Sequence, residues 1–176
     1  MVRILRPEKL TTKIFLDSGD PAETKKSKEI LGFLDGQTTN PTLIPKNPKI
    51  QERIAKKDYL SRDEIYEEYK KIARKISSTI PNGSISIEVY ADQTTTEEDM
   101  LAQARKMFSW IPGAHIKFPI LPEGLKAAKR AVEEGIRVNM TLCFTQEQAA
   151  AVYEATMETK EKVYVSPFVG RLDDIG

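Results

Sequence analysis

The stretch AHIKFPI, residues 114–120, decides the fold assignment. It is apolar except for His115 and Lys117, and its β-branched and aromatic side chains favour an extended strand. A lysine inside such a strand has no evident reason to face solvent, although a lysine near a strand end can also extend its amine to water. Burial disfavours the ammonium form, so we expect a lowered pKa and an amine able to act as a nucleophile. Lys117 is therefore the first candidate catalytic residue.

Outward from this stretch, short apolar segments alternate with longer amphipathic ones. The pattern predicts six strands, at 13–17, 36–39, 84–90, 115–119, 137–142 and 163–166. It predicts helices at 21–33, 50–56, 62–80, 96–110, 122–134 and 145–157. Strict alternation of this kind indicates parallel strands joined by right-handed crossovers, which is the α/β class.

Composition and charge narrow the possible functions. The chain has 176 residues, 40% of them hydrophobic and 30% charged, which predicts one domain over residues 1–176. A net charge of +1 does not favour binding to nucleic acid or to a membrane surface. There is no signal peptide and no apolar run long enough to span a membrane, so we expect a cytoplasmic protein. One cysteine and one histidine do not favour a zinc or iron site, and we expect no metal or cofactor.

Polar side chains recur where the predicted strands end. They are Asp17, Asn40, Glu88, Lys117, Thr141 and Ser166, spaced by roughly one βα unit with one longer interval. Catalytic groups collect at this rim in a (β/α)8 barrel, and ligands bind there in an open doubly wound sheet. No glycine-rich phosphate-binding loop follows the first strand, which argues against a nucleotide-binding sheet.

Six segments resemble the transaldolase family in order and spacing, from residue 13 to the end of the chain. They read FLDSGD (15–20), TTNPTLI (38–44), SIEV (86–89), IKFP with EGL (116–125), NMTL (139–142) and SPFVGR (166–171). The resemblance implies a class I aldolase on a (β/α)8 barrel, with residues 1–12 as an N-terminal extension. That family carries its Schiff-base lysine on the fourth strand, where Lys117 lies.

The resemblance also implies the catalytic roles. Lys117 would form the Schiff base and Asp17 would act as general acid and base in carbon–carbon cleavage. Glu88 and Thr141 would handle a water molecule during dehydration of the carbinolamine. The alternatives are an Asx turn for Asp17 and ordinary hydrogen-bonded barrel residues for Glu88 and Thr141.

Further residues match positions that bind substrate in the family. Asn40 and Asn139 correspond to contacts with hydroxyl groups of the dihydroxyacetone unit, and Ser166 resembles another contact with a substrate hydroxyl. Arg171 corresponds to a phosphate contact, although an arginine so near the end could also be an ordinary surface residue.

Phe168 and Glu88 bear on which reaction the family resemblance implies. Fructose-6-phosphate aldolases place a tyrosine and a glutamine at these positions, so both residues favour transaldolase. A phenylalanine cannot donate a proton to the enamine, which would survive to meet an aldehyde acceptor. We expect transfer of a dihydroxyacetone unit from sedoheptulose 7-phosphate or fructose 6-phosphate to an aldose phosphate; the alternative within the family is an aldolase that releases dihydroxyacetone.

The chain departs from the family after Arg171, since the last two βα units are absent and six strands cannot close an eight-stranded barrel. The family's second phosphate-binding arginine is absent with them. We therefore predict a transaldolase-type barrel truncated after its sixth strand, either as a fragment or in need of a complementing C-terminal segment or a homo-oligomer. The alternative from another functional class is a catalytically silent sugar-phosphate-binding or assembly module.

Overall fold

The computed structural model describes residues 6–42, 48–58 and 60–174. The chain divides into two compact units. The first unit comprises residues 1–87 and 110–114, and the second comprises residues 88–109 and 115–176. Each unit is described separately below. The prediction of one domain over residues 1–176 stays a prediction.

The first unit contains three strands and three helices. In chain order these are β1 (Phe15–Asp17), α1 (Pro21–Leu31), β2 (Gly36–Thr38), α2 (Pro48–Ala55), α3 (Arg62–Thr79) and β3 (Ser84–Glu88), whose last residue belongs to the second unit. β1 pairs with β2 and β2 with β3, both parallel. The core includes Tyr69 and Ile76 of α3, and Trp110 packs edge-on against the Tyr69 ring.

The second unit contains the remaining elements, except that Ala114 at the start of β4 belongs to the first unit. They are α4 (Glu97–Phe108), β4 (Ala114–Pro119), α5 (Pro122–Glu133), β5 (Val138–Cys143), α6 (Gln146–Thr156), β6 (Val163–Pro167) and α7 (Val169–Asp173). β4 pairs with β5 and β5 with β6, again parallel.

These elements confirm the predicted fold class, an α/β fold of the transaldolase barrel type, with six strands among the described residues. All six predicted strands are found, although β1 has three residues instead of five. The short helix α7 was not predicted, and none of its residues is buried. Residues 43–44 of the TTNPTLI segment and Pro45 in the following proline-rich loop lie outside the described residues.

Local sequence explains where the helices begin and end. Thr96 and Thr145 cap α4 and α6, and each forms a capping box with the residue three positions later. Pro122 starts α5, where a missing N–H costs nothing. Gly135, which follows α5, has φ +77°, a left-handed conformation that glycine adopts without strain.

Two helices of the second unit, α4 and α5, pack against each other. Their inward faces are made of small and medium side chains, including Leu101 and Ala104 on α4 and Ala127 and Ala131 on α5. Gly124 in the first turn of α5 lies so close to the Pro119 carbonyl that any larger residue would collide with it.

Exposed ion pairs join α4 to α5 on the outside. Arg130 lies 3.0 Å from Glu97, and Arg105 lies 2.6 Å from Glu134. Exposed pairs of this kind contribute little each, so the buried apolar faces hold the two helices together. No helix in the described ranges combines the length and the apolar character required to cross a bilayer.

Candidate active site

Lys117 lies in the middle of β4, a strand whose six residues are all buried. The residue is 4% exposed, so its side chain does not extend to water. Its Nζ atom lies 3.0 Å from Oε2 of Glu88, the last residue of β3. The backbone carries the same pairing, since the Val89 N–H donates to the Lys117 carbonyl at 3.1 Å.

The pair formed by Lys117 and Glu88 has a definite physical consequence. Removing a charge from water is costly, and an opposite charge within hydrogen-bond distance offsets that cost. At 3.0 Å the carboxylate is also close enough to accept a proton from the amine. The arrangement can therefore keep a lysine buried, and it places a proton acceptor beside the amine.

Asn139 and Ser166 adjoin this pair on the next two strands. Asn139 is opposite Lys117 in the β4–β5 register, and it is 2% exposed. Its Oδ1 atom accepts a hydrogen bond from the Ser166 hydroxyl at 2.8 Å. An amide and a hydroxyl beside a buried amine can donate to and accept from a polyhydroxylated molecule.

Thr141 lies two residues beyond Asn139 on β5 and is fully buried. Among the described residues its Oγ1 atom has no hydrogen-bond partner. The next residue, Leu142, has φ 62°, and the β5–β6 register shifts between Met140 and Cys143. A buried hydroxyl without a partner and a strained backbone are both typical of functional sites. Nothing in the local sequence signals the strain, because leucine has no preference for this conformation.

His115, for which sequence gives no role, lies two residues before Lys117 on β4. It is 4% exposed, and its ring stacks on that of Tyr164 at 4.5 Å with an interplanar angle of 20°. The two-residue spacing from Lys117 is the one sequence signal that could have placed His115 on the same side of the strand.

The first unit contains the other two rim residues. Asp17, at the end of β1, is exposed, and its Oδ1 atom accepts a hydrogen bond from the Thr38 hydroxyl at 2.8 Å. Asn40 is half-buried, and its side-chain oxygen accepts a hydrogen bond from the Thr42 hydroxyl at 2.6 Å. In the turn after Asp17, the helix cap is provided by Asp20, which accepts from the Ala22 N–H.

Phe168 and Arg171 lie at the end of the second unit. The Phe168 N–H donates to the Cys143 carbonyl at 2.9 Å, and its ring meets Phe144 edge-on at 5.8 Å. Arg171 is exposed, and its guanidinium lies 4.9 Å from the centre of the Phe168 ring. A mainly apolar pocket of about 240 Å³ lies between the end of β5, the start of α6 and α7, with Phe168 in its wall.

The loop after β3 is cross-linked by hydrogen bonds to the Asp92 carboxylate. Hydrogen bonds from the Thr94 N–H and hydroxyl, with others from Thr95 and Tyr90, hold the pKa of Asp92 well below its usual range. In the part of the chain that the structure describes, no three His, Cys, Asp or Glu side chains are grouped closely enough to hold a metal ion.

Comparisons with known proteins found similar sequences and structures. The sequence profile of the family described as Transaldolase/Fructose-6-phosphate aldolase matches residues 14–176. A probable transaldolase from Dehalococcoides mccartyi is 37% identical over 164 residues, which is 93% of this chain and 64% of that protein. A probable transaldolase from Geobacillus kaustophilus is 39% identical over the same shares of the two chains.

The chain spans a little under two thirds of the length of these curated relatives. Among solved structures, the carboxyl transferase domain of Rhizobium etli pyruvate carboxylase is similar with a TM-score of 0.48 and 12% identity, covering 93% of this chain and 30% of that one. Likeness at that level carries no argument about function.

Proposed function

Since the chain belongs to the transaldolase/fructose-6-phosphate aldolase family, we propose that it uses Lys117 to transfer a dihydroxyacetone unit from a ketose phosphate to an aldose phosphate. Sedoheptulose 7-phosphate and fructose 6-phosphate are the donors we propose. The observation that carries the proposal is the buried Lys117 amine, 3.0 Å from a carboxylate and adjacent in register to Asn139.

In the proposed reaction the uncharged Lys117 amine attacks the ketose carbonyl carbon and forms a carbon–nitrogen bond. Loss of water from the carbinolamine then gives an iminium ion, which draws electrons from the neighbouring carbon–carbon bond. Glu88 takes the proton from the amine and returns a proton to the departing hydroxyl. Thr141, with a buried hydroxyl that has no partner among the described residues, would hold the water that leaves.

Carbon–carbon cleavage needs a base, and we assign that role to Asp17. It would take the proton from the hydroxyl on the carbon beyond the bond that breaks, releasing an aldose phosphate and leaving an enamine on Lys117. In the transfer direction, the enamine attacks an acceptor aldehyde and Asp17 returns the proton. The hydrogen bond from Thr38 supports this role, because it holds the carboxylate in one orientation at the end of β1.

The remaining residues would orient the substrate. Asn139 and Ser166 already share a hydrogen bond beside Lys117, so a sugar hydroxyl could replace or extend it. Asn40 is assigned a further hydroxyl contact, and Arg171 a phosphate contact, for which its exposed guanidinium is available. Phe168 has no proton to give to the enamine, which favours transfer over release.

Borohydride reduction in the presence of fructose 6-phosphate tests the proposal. We expect one three-carbon adduct per chain, located on Lys117 by peptide mass spectrometry. Lys126, an exposed lysine in α5, serves as the matched control, and Lys126→Met should trap as much adduct as the wild type. Absence of the adduct from the wild-type chain would reject the enzymatic function.

A second candidate function is sugar-phosphate binding without turnover. The exposure of β6, which is greater than that of β4, favours it. No residue of β6 or α7 is fully buried, and Val169 and Leu172 are 68% and 42% exposed. Within the described residues, β6 pairs with one neighbour only, β5. A half-exposed strand of this composition is normally covered by further polypeptide.

We propose that a complementing βα segment covers the free edge of β6 and completes the phosphate-binding site. The test adds the part of the Dehalococcoides mccartyi relative that follows its match to Arg171, supplied as a separate chain. Light scattering should show a one-to-one complex, and transfer from fructose 6-phosphate to erythrose 4-phosphate should rise at least tenfold. A monomer with unchanged turnover, or a homodimer that excludes the segment, would contradict this proposal.

The same assay separates the remaining alternatives. Dihydroxyacetone released without any acceptor would identify an aldolase, whereas binding of fructose 6-phosphate without an adduct would identify a silent binding module. We propose a cytoplasmic location, where phosphorylated sugars are available.

A further inference from the structure

Gln37, the middle residue of β2, has a fully buried amide that makes two hydrogen bonds, one of them to the residue that follows Asp17. Its Nε2 atom donates to the Ser18 carbonyl at 2.7 Å, and its Oε1 atom accepts from the Thr24 hydroxyl at 2.6 Å. Thr24, on α1, is also fully buried. One side chain thus links β2, the turn after β1 and the first part of α1.

The Gln37 amide acts on Asp17 through the backbone alone, because its hydrogen bond goes to the carbonyl of Ser18. In the β1–β2 register, Gln37 pairs with Leu16, and Asp17 pairs with Thr38. Since side chains alternate along a strand, Gln37 and Thr38 point to opposite faces of the sheet. Thr38 contacts the Asp17 carboxylate, whereas Gln37 holds the chain from the face on which Thr24 of α1 lies.

Together the hydrogen bonds fix both peptide groups of Ser18. Its N–H donates to the Thr38 carbonyl at 3.1 Å, and its carbonyl accepts from Gln37. The Ser18 hydroxyl donates to the Glu23 carboxylate and accepts from the Asp20 N–H at 3.0 Å. The peptide that joins Asp17 to Ser18 therefore has little freedom to rotate, and the direction of the exposed Asp17 side chain follows from it.

We propose that Gln37 is a positioning residue for Asp17 and that its buried amide governs carbon–carbon cleavage without affecting Schiff-base formation. This inference rests on the proposed function of Asp17. Displacement of a catalytic group by about 1 Å can reduce a rate about 100-fold, so loss of the amide should be visible in the cleavage step.

The test compares two partial reactions of the full chain with fructose 6-phosphate. Borohydride trapping, counted as the sum of six-carbon and three-carbon adducts on Lys117, reports the Schiff base, and single-turnover release of glyceraldehyde 3-phosphate reports cleavage. For Gln37→Leu we expect trapping within twofold of the wild type and cleavage slowed at least tenfold. A general loss of folding would reduce both by the same factor, so the ratio of the two signals is the readout.

Gln103 offers a matched control. From α4 its amide makes an equivalent pair of bonds to one residue, accepting from the Tyr90 N–H at 2.8 Å and donating to the Tyr90 carbonyl at 3.0 Å. Gln103→Leu therefore removes two similar bonds at the end of β3. We expect its ratio of cleavage to trapping to equal that of the wild type.

Gln37→Glu gives a second, nearly isosteric readout if Gln37→Leu does not fold. The introduced carboxyl can donate to the Ser18 carbonyl only when protonated, and burial disfavours its charged form. Cleavage by Gln37→Glu, expressed relative to the wild type at each pH, should therefore recover as the pH falls. A ratio that stays constant with pH would contradict the positioning role.

The outcomes separate this inference from the function on which it rests. A wild-type chain that traps no adduct would overturn both. Normal trapping in the wild type, with cleavage by Gln37→Leu equal to that of the wild type, would overturn the positioning role of Gln37 and leave the Schiff-base chemistry intact.

Discussion

Strand β4 is buried at all six positions, whereas β6, which has a similarly apolar sequence, has no fully buried position. The two strands lie on either side of β5 and differ in their surroundings. β4 belongs to a unit in which α4 and α5 each bury four residues, while none of the residues of α7, which follows β6, is buried. Ile116 is 0% exposed and Val165 is 36% exposed, although both are β-branched strand residues.

This difference matters for the proposed chemistry. The proposed nucleophile, Lys117, lies in the buried strand and is 4% exposed. Recognition of hydroxyl and phosphate groups tolerates solvent, and Ser166 and Arg171 lie in the open region. The proposed Schiff-base site is thus buried, and the proposed phosphate-binding end is exposed.

Replacement of Lys117 should give the largest effect. Lys117→Met keeps an apolar chain of similar length but removes the amine, so we expect no borohydride-stable adduct at any substrate concentration. Peptide mass spectrometry checks this outcome. An adduct on another lysine would show that the buried position of β4 does not select the reactive amine.

A pair of truncations compares the two strands directly. Ile116→Ala on β4 should lower the free energy of unfolding by about 2–5 kcal/mol, because it leaves a cavity in a closed core. Val165→Ala on β6 should lower it by less than about 1 kcal/mol, because solvent already reaches that side chain. Urea unfolding measures both values. Equal losses would mean that β6 is covered in solution, for example by a second copy of the chain.

Glu88→Gln examines the ion pair that lies beside the buried strand. Removing the carboxylate leaves the Lys117 charge without this partner, and we expect a loss of about 2–3 kcal/mol in the free energy of unfolding. Glu123→Gln is the control, since its pair with Lys126 has the same kind of contact at 2.7 Å but side chains 43% and 59% exposed. That change should cost much less, because solvent screens an exposed pair. If the two variants cost the same, burial does not strengthen the Lys117 pair.

The smallest effect should come from Asp35, which precedes β2 and is partly open to solvent. Burial raises its pKa, but hydrogen bonds from Arg6 and from the Ile14 N–H outweigh that effect and leave the pKa below the usual 3.8. Since the folded-state pKa is depressed, its contribution to stability is complete above the unfolded-state value and is lost as the pH falls through the folded-state value.

Asp35→Asn should therefore be less stable than the wild type at pH 7, and the difference should shrink on acidification below the usual value of 3.8. Urea titrations of both proteins at several pH values measure this difference, with the exposed Glu8→Gln as control. A difference that grows as the pH falls would have the wrong sign for this ion pair.

Local sequence patterns were sufficient to predict the strands and most of the helices, and the order in which polar residues follow the strands. Alternating strands and amphipathic helices predicted all six strands, because periodicity and capping depend on residues near one another in the chain. The same patterns missed α7, because five residues are too few to establish a helical period and none of them is buried. They overestimated β1, because a strand ends where its hydrogen-bonding partner ends, and that partner is distant in sequence.

Tertiary structure alone decided the environment of each candidate residue. No local pattern records the four features that define these environments. They are the 3.0 Å contact of Lys117 with Glu88, the hydrogen bond between Asn139 and Ser166, the positive φ of Leu142, and the hydrogen bond from Gln37 to the residue after Asp17. Burial and pairing are properties of neighbours brought together by the sheet. Residue types at strand ends therefore indicate which chemistry is possible, and packing determines which side chains are dry, paired and held still.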